Sequence, residues 1–353
     1  MKRWIASLLL VLPMAAAAQA EELTVTPQFR TTALFEDDRT GGDERTAFTL
    51  SRSEFGAIFS DREWSLTTIG EYVRSAAPGS LLGVAGNSYI LRPRQLELAR
   101  TETFDEVWHL TLSGGVLVRS STRIHSADPL SEMEANAVRR FMGDDVSDLG
   151  AEVRVGYDDL VEASVALHNG EGASDAERNE AKNLTASLVV TPGGREGFWG
   201  VVPRLEGYRE QGTLGSGDEE VTRTEGLLSL THAFGVLRVR YGVASGGALR
   251  PGKDASWLRT AVSTAPIYAG LSLVGLHEQF SPDSAVDGSI TRLGGGLRWQ
   301  GEPSLVNPTA TLWWEQLSSD EAAASVPGAS SATEGSRIRL ALTLRDRGTS
   351  PRP

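Results

Sequence analysis

The chain contains no cysteine. Outside the cytoplasm it therefore has no disulfide framework, and thiolate chemistry is excluded. Lysine is scarce too, three residues against 31 arginines. Beyond the first twenty residues, no apolar run approaches the ~20 residues that a membrane helix requires. Mean hydropathy is −0.20, so a helical membrane protein is excluded. A membrane barrel is not, because its strands alternate lipid-facing and lumen-facing residues and leave only a weak signal. Nor is there an excess of positive charge. The formal net charge of −12 argues against a nucleic-acid partner.

What is present begins at the amino terminus. Met1-Lys2-Arg3 is a positive n-region, "WIASLLLVLPMAAAA" an apolar core, and Ala18-Gln19-Ala20 a small-x-small cleavage site. Residues 1–20 are expected to be a cleaved secretory signal peptide. The remaining chain divides into a body over 21–346 and a short polar tail over 347–353.

Residues 145–172 show how that body is patterned. Leu149, Ala151, Val153 and Val155 fall on one face, with Gly150, Glu152, Arg154 and Gly156 on the other. After Tyr157-Asp158-Asp159 the alternation resumes, with Val161, Ala163, Val165 and Leu167 against Glu162, Ser164, Ala166 and His168. Sixteen such segments are expected, near 22–35, 46–60, 63–75, 89–100, 106–118, 146–157, 160–169, 182–191, 197–209, 221–232, 236–245, 255–264, 267–280, 288–300, 307–318 and 336–346. Short turns (61–62, 101–105, 158–159, 192–196, 233–235, 265–266, 301–306) alternate with longer polar stretches (36–45, 76–88, 119–145, 170–181, 210–220, 246–254, 281–287, 319–335). Short periplasmic turns and long extracellular loops give a membrane barrel that rhythm.

An aromatic stands near every short turn: Trp64, Trp108, Tyr157, Trp199, Phe234, Tyr268 and Trp299. An interfacial girdle needs amphipathic rings at strand ends. Phe35, Phe48, Tyr89, Trp257 and Phe280 are candidates for a second belt. The expected fold class is all-β, a transmembrane antiparallel up-and-down β-barrel of sixteen strands in the bacterial outer membrane. A barrel that wide leaves an aqueous lumen unless loops plug it.

Several segments resemble the phosphate-selective (O/P-type) porins. "VSDLGAEVRVGYDDLVEASVALHNGEG" carries Asp148, Gly150, Tyr157, Asn169, Gly170 and Gly172 at the positions of that family's strand–turn–strand element. "FTLSRSEFGAIFSDREWSLTTIGEY" (48–72) is similar to its early Arg-bearing hairpin. "LSGGVLVRSS" followed by "FMGDD" is similar to its constriction-loop region. The resemblance covers residues 45–175 and implies a porin. The family's lysine-rich loop ladder is missing, since only Lys182 and Lys253 follow the signal segment.

Alternation then assigns the wet face. Arg52, Glu54, Glu152, Arg154, Arg204, Glu206, Arg223, Arg238, Arg240, Arg259, Arg292, Arg298, Arg337 and Arg339 are expected to line the pore. An arginine at the hydrocarbon midplane costs ~2–4 kcal/mol, which favours the lumen. Two readings of these charges stay open. Arginines on the last strands could form a basic wall that favours anions. Alternatively, Arg–Glu pairs using Glu54, Glu152, Glu162, Glu206, Glu225 and Glu315 could brace the wall without selectivity. In the longest loop, "SEMEANAVRRFMG" reads as a short helix capped by Ser131. Glu132, Glu134, Arg139 and Arg140 on it are candidate constriction residues.

The expected function is passive diffusion of small hydrophilic solutes or ions, with a preference for anions if the basic-wall reading of the arginines holds. An occluded structural or adhesive barrel is the alternative, and an outer-membrane hydrolase ranks third. No catalytic constellation, metal cluster or cofactor motif is found, and His168-Asn169 is the nearest catalytic pair. The expected partners are outer-membrane lipid, lipopolysaccharide and lumenal solutes, with a homotrimer as one open assembly.

Overall fold

The fold is described from a computed structural model covering residues 23–39, 45–74, 89–118, 147–169, 182–214, 219–246, 254–285, 288–302, 306–320 and 335–346. The elements are all strands: β1 (Thr24–Asp38), β2 (Arg45–Ser60), β3 (Trp64–Arg74), β4 (Tyr89–Phe104), β5 (Trp108–Val118), β6 (Ser147–Tyr157), β7 (Val161–His168) and β8 (Asn183–Val190). There follow β9 (Val201–Leu214), β10 (Glu219–His232), β11 (Gly235–Ser245), β12 (Asp254–Thr264), β13 (Leu271–Ser281), β14 (Ile290–Gln300), β15 (Val306–Ser319) and β16 (Gly335–Asp346).

Each strand pairs antiparallel with its sequence neighbours. β1 closes the sheet on β16, in a register running from Arg30↔Arg345 to Asp38↔Arg337. Closure leaves no edge, so every strand's backbone groups find partners inside the sheet, as hydrocarbon demands.

The alternation seen in the sequence becomes two faces. Leu149, Val153, Val155, Val165 and Leu167 are exposed on the outside, while Glu152, Ser164 and His168 are buried within. The same division runs through β11–β16, where Leu237, Leu273, Leu297, Leu312, Leu340 and Leu342 face outward. An outward apolar wall around a charged interior is the inverse of a soluble sandwich, and it fits a barrel immersed in lipid.

All seven turn-side aromatics are exposed, from Trp64 at 37% to Trp199 at 100%. Trp108 and Tyr157 stack across β5 and β6 with ring centroids 4.7 Å apart. Arg100 lies over the Trp64 ring at 5.5 Å. The β2–β3 turn is pinned by Asp61, whose Oδ1 accepts the backbone N–H of Glu63 at 2.9 Å and of Trp64 at 2.7 Å. Those donors hold its carboxyl below the usual range, the Trp64 bond contributing most. Arg195 ties the β8–β9 connection to Asp159 in the β6–β7 turn, Nη2 to Oδ1 at 3.1 Å. That hydrogen bond raises the guanidinium above its ordinary value.

Four expectations change. Trp257 and Phe280 do not join the second belt. At 3% and 1% exposure they point into the lumen. Glu36 is not a loop residue but ends the inner face of β1, and Glu219 and Glu220 begin β10. The alternation of connection lengths also has an exception, since 191–200 on the turn side is longer than 215–218 on the loop side. β4 runs sixteen residues to Phe104, past the end expected at 100, and takes in most of the turn expected at 101–105. The signal segment 1–20, the tail 347–353 and the loop residues Glu132, Glu134, Arg139 and Arg140 lie outside the described residues.

Candidate pore lining

The side chains aimed inward from neighbouring strands meet as ion pairs. On β14–β16, Glu315 is fully buried, and its Oε2 lies 2.6 Å from Arg292 Nη2. Trp313 Nε1 donates to the same oxygen at 3.0 Å. Glu315 Oε1 faces Arg339 Nη1 at 3.4 Å and Arg337 Nη1 at 3.7 Å. Arg339 also pairs with Glu36 across the β1–β16 seam. Three arginines from two strands thus converge on one carboxylate, an arrangement that in-register antiparallel pairing allows because cross-strand neighbours share a face.

Similar pairs continue round the wall. Arg259 meets Glu278 at 3.3 Å, Arg240 meets Glu225 at 3.2 Å, and Arg223 lies 3.8 Å from Glu210. Glu225 also accepts Trp257 Nε1 at 3.2 Å, and Glu210 accepts Asn183 Nδ2 at 3.0 Å. On β9, Arg204 and Glu206 pair at 2.7 Å. Across β6 and β7, Arg154 binds Glu152 at 3.0 Å and Glu162 at 3.5 Å. Glu54 is met by Arg94 at 2.7 Å. Arg238 is held more lightly, its Nε 3.4 Å from Ser229 Oγ. Arg298 stands on the inner face between Ser272 and Thr311. Arg52 pairs along the backbone with Thr32 and Val73, and its side chain is outside the described set.

The candidate lining residues whose side chains are described lie on the inner face, opposite the exposed apolar wall. Alternation missed several partners. Arg94 sits at a register shift between Ile69 and Gly70, where β4 gains one residue over β3 and the phase reverses. From there it reaches Glu54 and Glu71, and Arg92 Nε binds Glu71 at 2.7 Å. Glu36 and Glu210 lie within β1 and β9, in segments whose polar composition reads as loop, and Glu278 shares phase with Arg259 across the sheet.

Counted by face, the charges are uneven. From β10 round to β1, the described inward side chains of the strands include ten arginines (Arg30, Arg223, Arg238, Arg240, Arg259, Arg292, Arg298, Arg337, Arg339, Arg345) and four acids (Glu36, Glu225, Glu278, Glu315), and Asp283 is buried in the β13–β14 connection. From β2 to β9 there are four arginines (Arg92, Arg94, Arg154, Arg204) and eight acids (Glu54, Glu71, Glu97, Asp148, Glu152, Glu162, Glu206, Glu210). Among the described strand side chains, the arc from β10 to β1 carries more arginines than acids and the arc from β2 to β9 more acids than arginines. Among the described residues no group of His, Asp and Glu is placed to hold a metal ion.

No protein-family model matches the chain, and no curated protein is similar to it in sequence. Solved structures match in fold. An anion-selective porin from Comamonas acidovorans aligns over 92% of this chain and 99% of its own, with TM-score 0.60 and 11% identity. The trimer form of OmpT, an outer-membrane protein of Vibrio cholerae, aligns over 92% and 99% with TM-score 0.59 and 12% identity. OccK9 of Pseudomonas aeruginosa aligns over 92% and 98% with TM-score 0.50 and 11% identity. The chain has the sixteen-strand fold of the porins, a transmembrane β-barrel of the bacterial outer-membrane type. At these identities the likeness speaks for the fold.

Proposed function

We propose that the protein is an outer-membrane diffusion channel for small hydrophilic solutes, with anions preferred. The observation that carries this reading is the basic arc from β10 to β1, where, among the described strand side chains facing inward, arginines outnumber acids ten to four. Both earlier readings of the charges have a part in it. Most arginines brace the wall through glutamates, while Arg238 stands directly opposite Ser229 and Ala261, and Arg298 opposite Ser272 and Thr311. A surplus of fixed positive charge lowers the barrier for anions along that side. The likeness of residues 45–175 to phosphate-selective porins belongs to the same reading, with the solute left unspecified.

We read the barrel as non-enzymatic. A lipid-surface hydrolase needs a histidine on the outer wall with a serine beside it; His168 faces inward at 2% exposure, and the outward His277 on β13 stands opposite Thr260 and Leu293, neither of them a serine. A homotrimer in the membrane belongs to this reading as well. A second reading is an occluded structural or adhesive barrel, favoured by the near-complete burial of Glu71, Trp313 and Glu315 on the inner wall. Single-channel recording of the refolded protein in a planar bilayer under a salt gradient separates the two. Open steps with a reversal potential favouring chloride support the anion channel. Unselective steps remove the role of the arc, and a folded barrel without conductance supports the occluded reading.

A further inference from the structure

Trp257 enters the lumen from β12 and is almost wholly buried. In the sheet register Glu225 on β10, Gly242 on β11 and Trp257 on β12 lie in one row. Neighbouring strands stand about 4.8 Å apart, so the outer members of that row are about 10 Å apart at the backbone. The indole closes the gap by lying over Gly242, where an added Cβ would collide with the ring, 2.7 Å from Nε1. Nε1 donates to Glu225 Oε2 at 3.2 Å, while Oε1 of the same carboxylate lies 3.2 Å from Arg240 Nε. The contact needs two sequence choices at once: a glycine on the middle strand and a large ring that carries a donor.

The same residue types meet again on β14 and β15. Trp313 covers Gly294 and donates to Glu315 Oε2 at 3.0 Å, and Arg292 meets that oxygen at 2.6 Å. There the carboxylate is on the indole's own strand, whereas Trp257 reaches one two strands away. Phe280 supplies the comparison. It pairs directly with Trp257 across β12 and β13, is as deeply buried, and carries no donor. Packing at this level is thus served by a plain ring, and the indole adds an N–H aimed at Glu225.

We propose that Trp257 is a positioning residue for ion selectivity. Through Nε1 it holds the Glu225 carboxylate on the wall beside Arg240 and out of the solute path. Arg238, two residues from Arg240 on the same inner face of β11, then acts on passing anions without a negative charge swinging in front of it. A buried carboxylate that loses a donor is left under-satisfied, and it regains hydrogen bonds by turning toward water in the lumen. There its charge offsets that of Arg238. The proposal rests on the anion-channel reading above.

The test is the reversal potential of the refolded protein in a planar bilayer under a salt gradient. Trp257→Phe keeps a ring over Gly242 and removes the donor, and its reversal potential is expected to move from the chloride side toward zero. In a Glu225→Gln background the same replacement is expected to have no effect, because no charge remains to be released. Non-additivity of that kind marks a residue that acts through another. Phe280→Leu, which disturbs the packing beside Trp257, is expected to keep the parental reversal potential whatever it costs in stability. Gly242→Ala is expected to displace the ring and reproduce the Trp257→Phe shift, and if it does not fold the Phe variant carries the test. A parental reversal potential in Trp257→Phe overturns the proposal, as does an equal shift in the Glu225→Gln background or in Phe280→Leu. Trp257 is then packing alone. The parent is recorded first, which keeps the two readings apart. A parent that is silent or unselective removes the anion channel and the role of Trp257 with it, whereas a chloride-selective parent with an unmoved Trp257→Phe sinks Trp257 only.

Discussion

Glu315 Oε2 lies 2.7 Å from Arg292 Nε and 2.6 Å from its Nη2, so a single oxygen on β15 receives both donors of one guanidinium edge on β14. The other oxygen is left to Arg337 and Arg339 on β16. One carboxylate therefore joins three consecutive strands next to the seam where the barrel closes on β1.

Removing that charge has two consequences. Glu315→Gln leaves three arginines facing one another, and breaking a buried pair costs about 3–5 kcal/mol. The unfolding midpoint in denaturant is expected to fall accordingly. In the variant that still folds, the freed guanidiniums strengthen the basic arc, and the reversal potential is expected to move further toward chloride. A variant with parental stability and parental selectivity would show that Glu315 neither braces nor tempers the wall.

Arg238 and Arg240 lie two residues apart on β11 yet should behave differently. Arg240 meets the buried Glu225, while Arg238 lies with its Nε 3.4 Å from Ser229 Oγ. Arg240→Ala is expected to destabilise the barrel by about 3–5 kcal/mol, because it removes the guanidinium that pairs with the buried Glu225. Arg238→Ala is expected to change stability by less than about 1 kcal/mol and to reduce anion preference. Denaturant melts together with salt-gradient recordings decide, and the reverse ranking would contradict the division between bracing and selective arginines.

Much of this wall could be read from the sequence, because lipid on one side and water on the other imposes period two on every strand. The rule fails where the sheet does. At the β3–β4 register shift one extra residue turns Arg94 inward, and no periodicity marks that position in advance. Trp257 and Phe280 are a different case. Each lies two residues from an inward charge, Arg259 or Glu278, so strict alternation already places them inside. Their identity as aromatics suggested a belt, but their phase was the better guide. Glu36 was obscured because an acidic run looks like a solvated loop, whereas its partner Arg339 is more than 300 residues away. Long-range closure of this kind leaves no local trace.

The β2–β3 turn supplies a pH test. The Asp61 carboxyl is held below its ordinary value by the Trp64 and Glu63 N–H donors. A depressed carboxylate contributes its stabilisation above the unfolded pKa, about 3.9 for aspartate, and loses it as pH falls through the lower folded value. Amide exchange at Glu63 and Trp64 is therefore expected to stay slow from neutral pH down to about 4. Below that, local protection should be lost while the strands remain protected. Asp61→Ala should show the unprotected turn at every pH. Protection that persists in Asp61→Ala would assign the turn's order to something other than the carboxylate.

The Trp313 ring explains a glycine that strand propensity alone would disfavour. A Cβ at Gly294 would lie 2.2 Å from Trp313 Cζ2, so the ring occupies the space a side chain on β14 would take. The ring is fully buried there with Nε1 on Glu315, fixing the orientation of the carboxylate that holds the three arginines. Gly294→Ala is expected to push the ring aside at a cost of about 1–3 kcal/mol, break the Nε1 bond and shift tryptophan emission. Gly294→Ala/Trp313→Leu removes the clash and should recover part of the lost stability. It cannot restore the indole donor, so its selectivity should stay altered. If Gly294→Ala alone leaves both emission and unfolding midpoint at parental values, the ring is not seated over Gly294 and the orientation of Glu315 has another source.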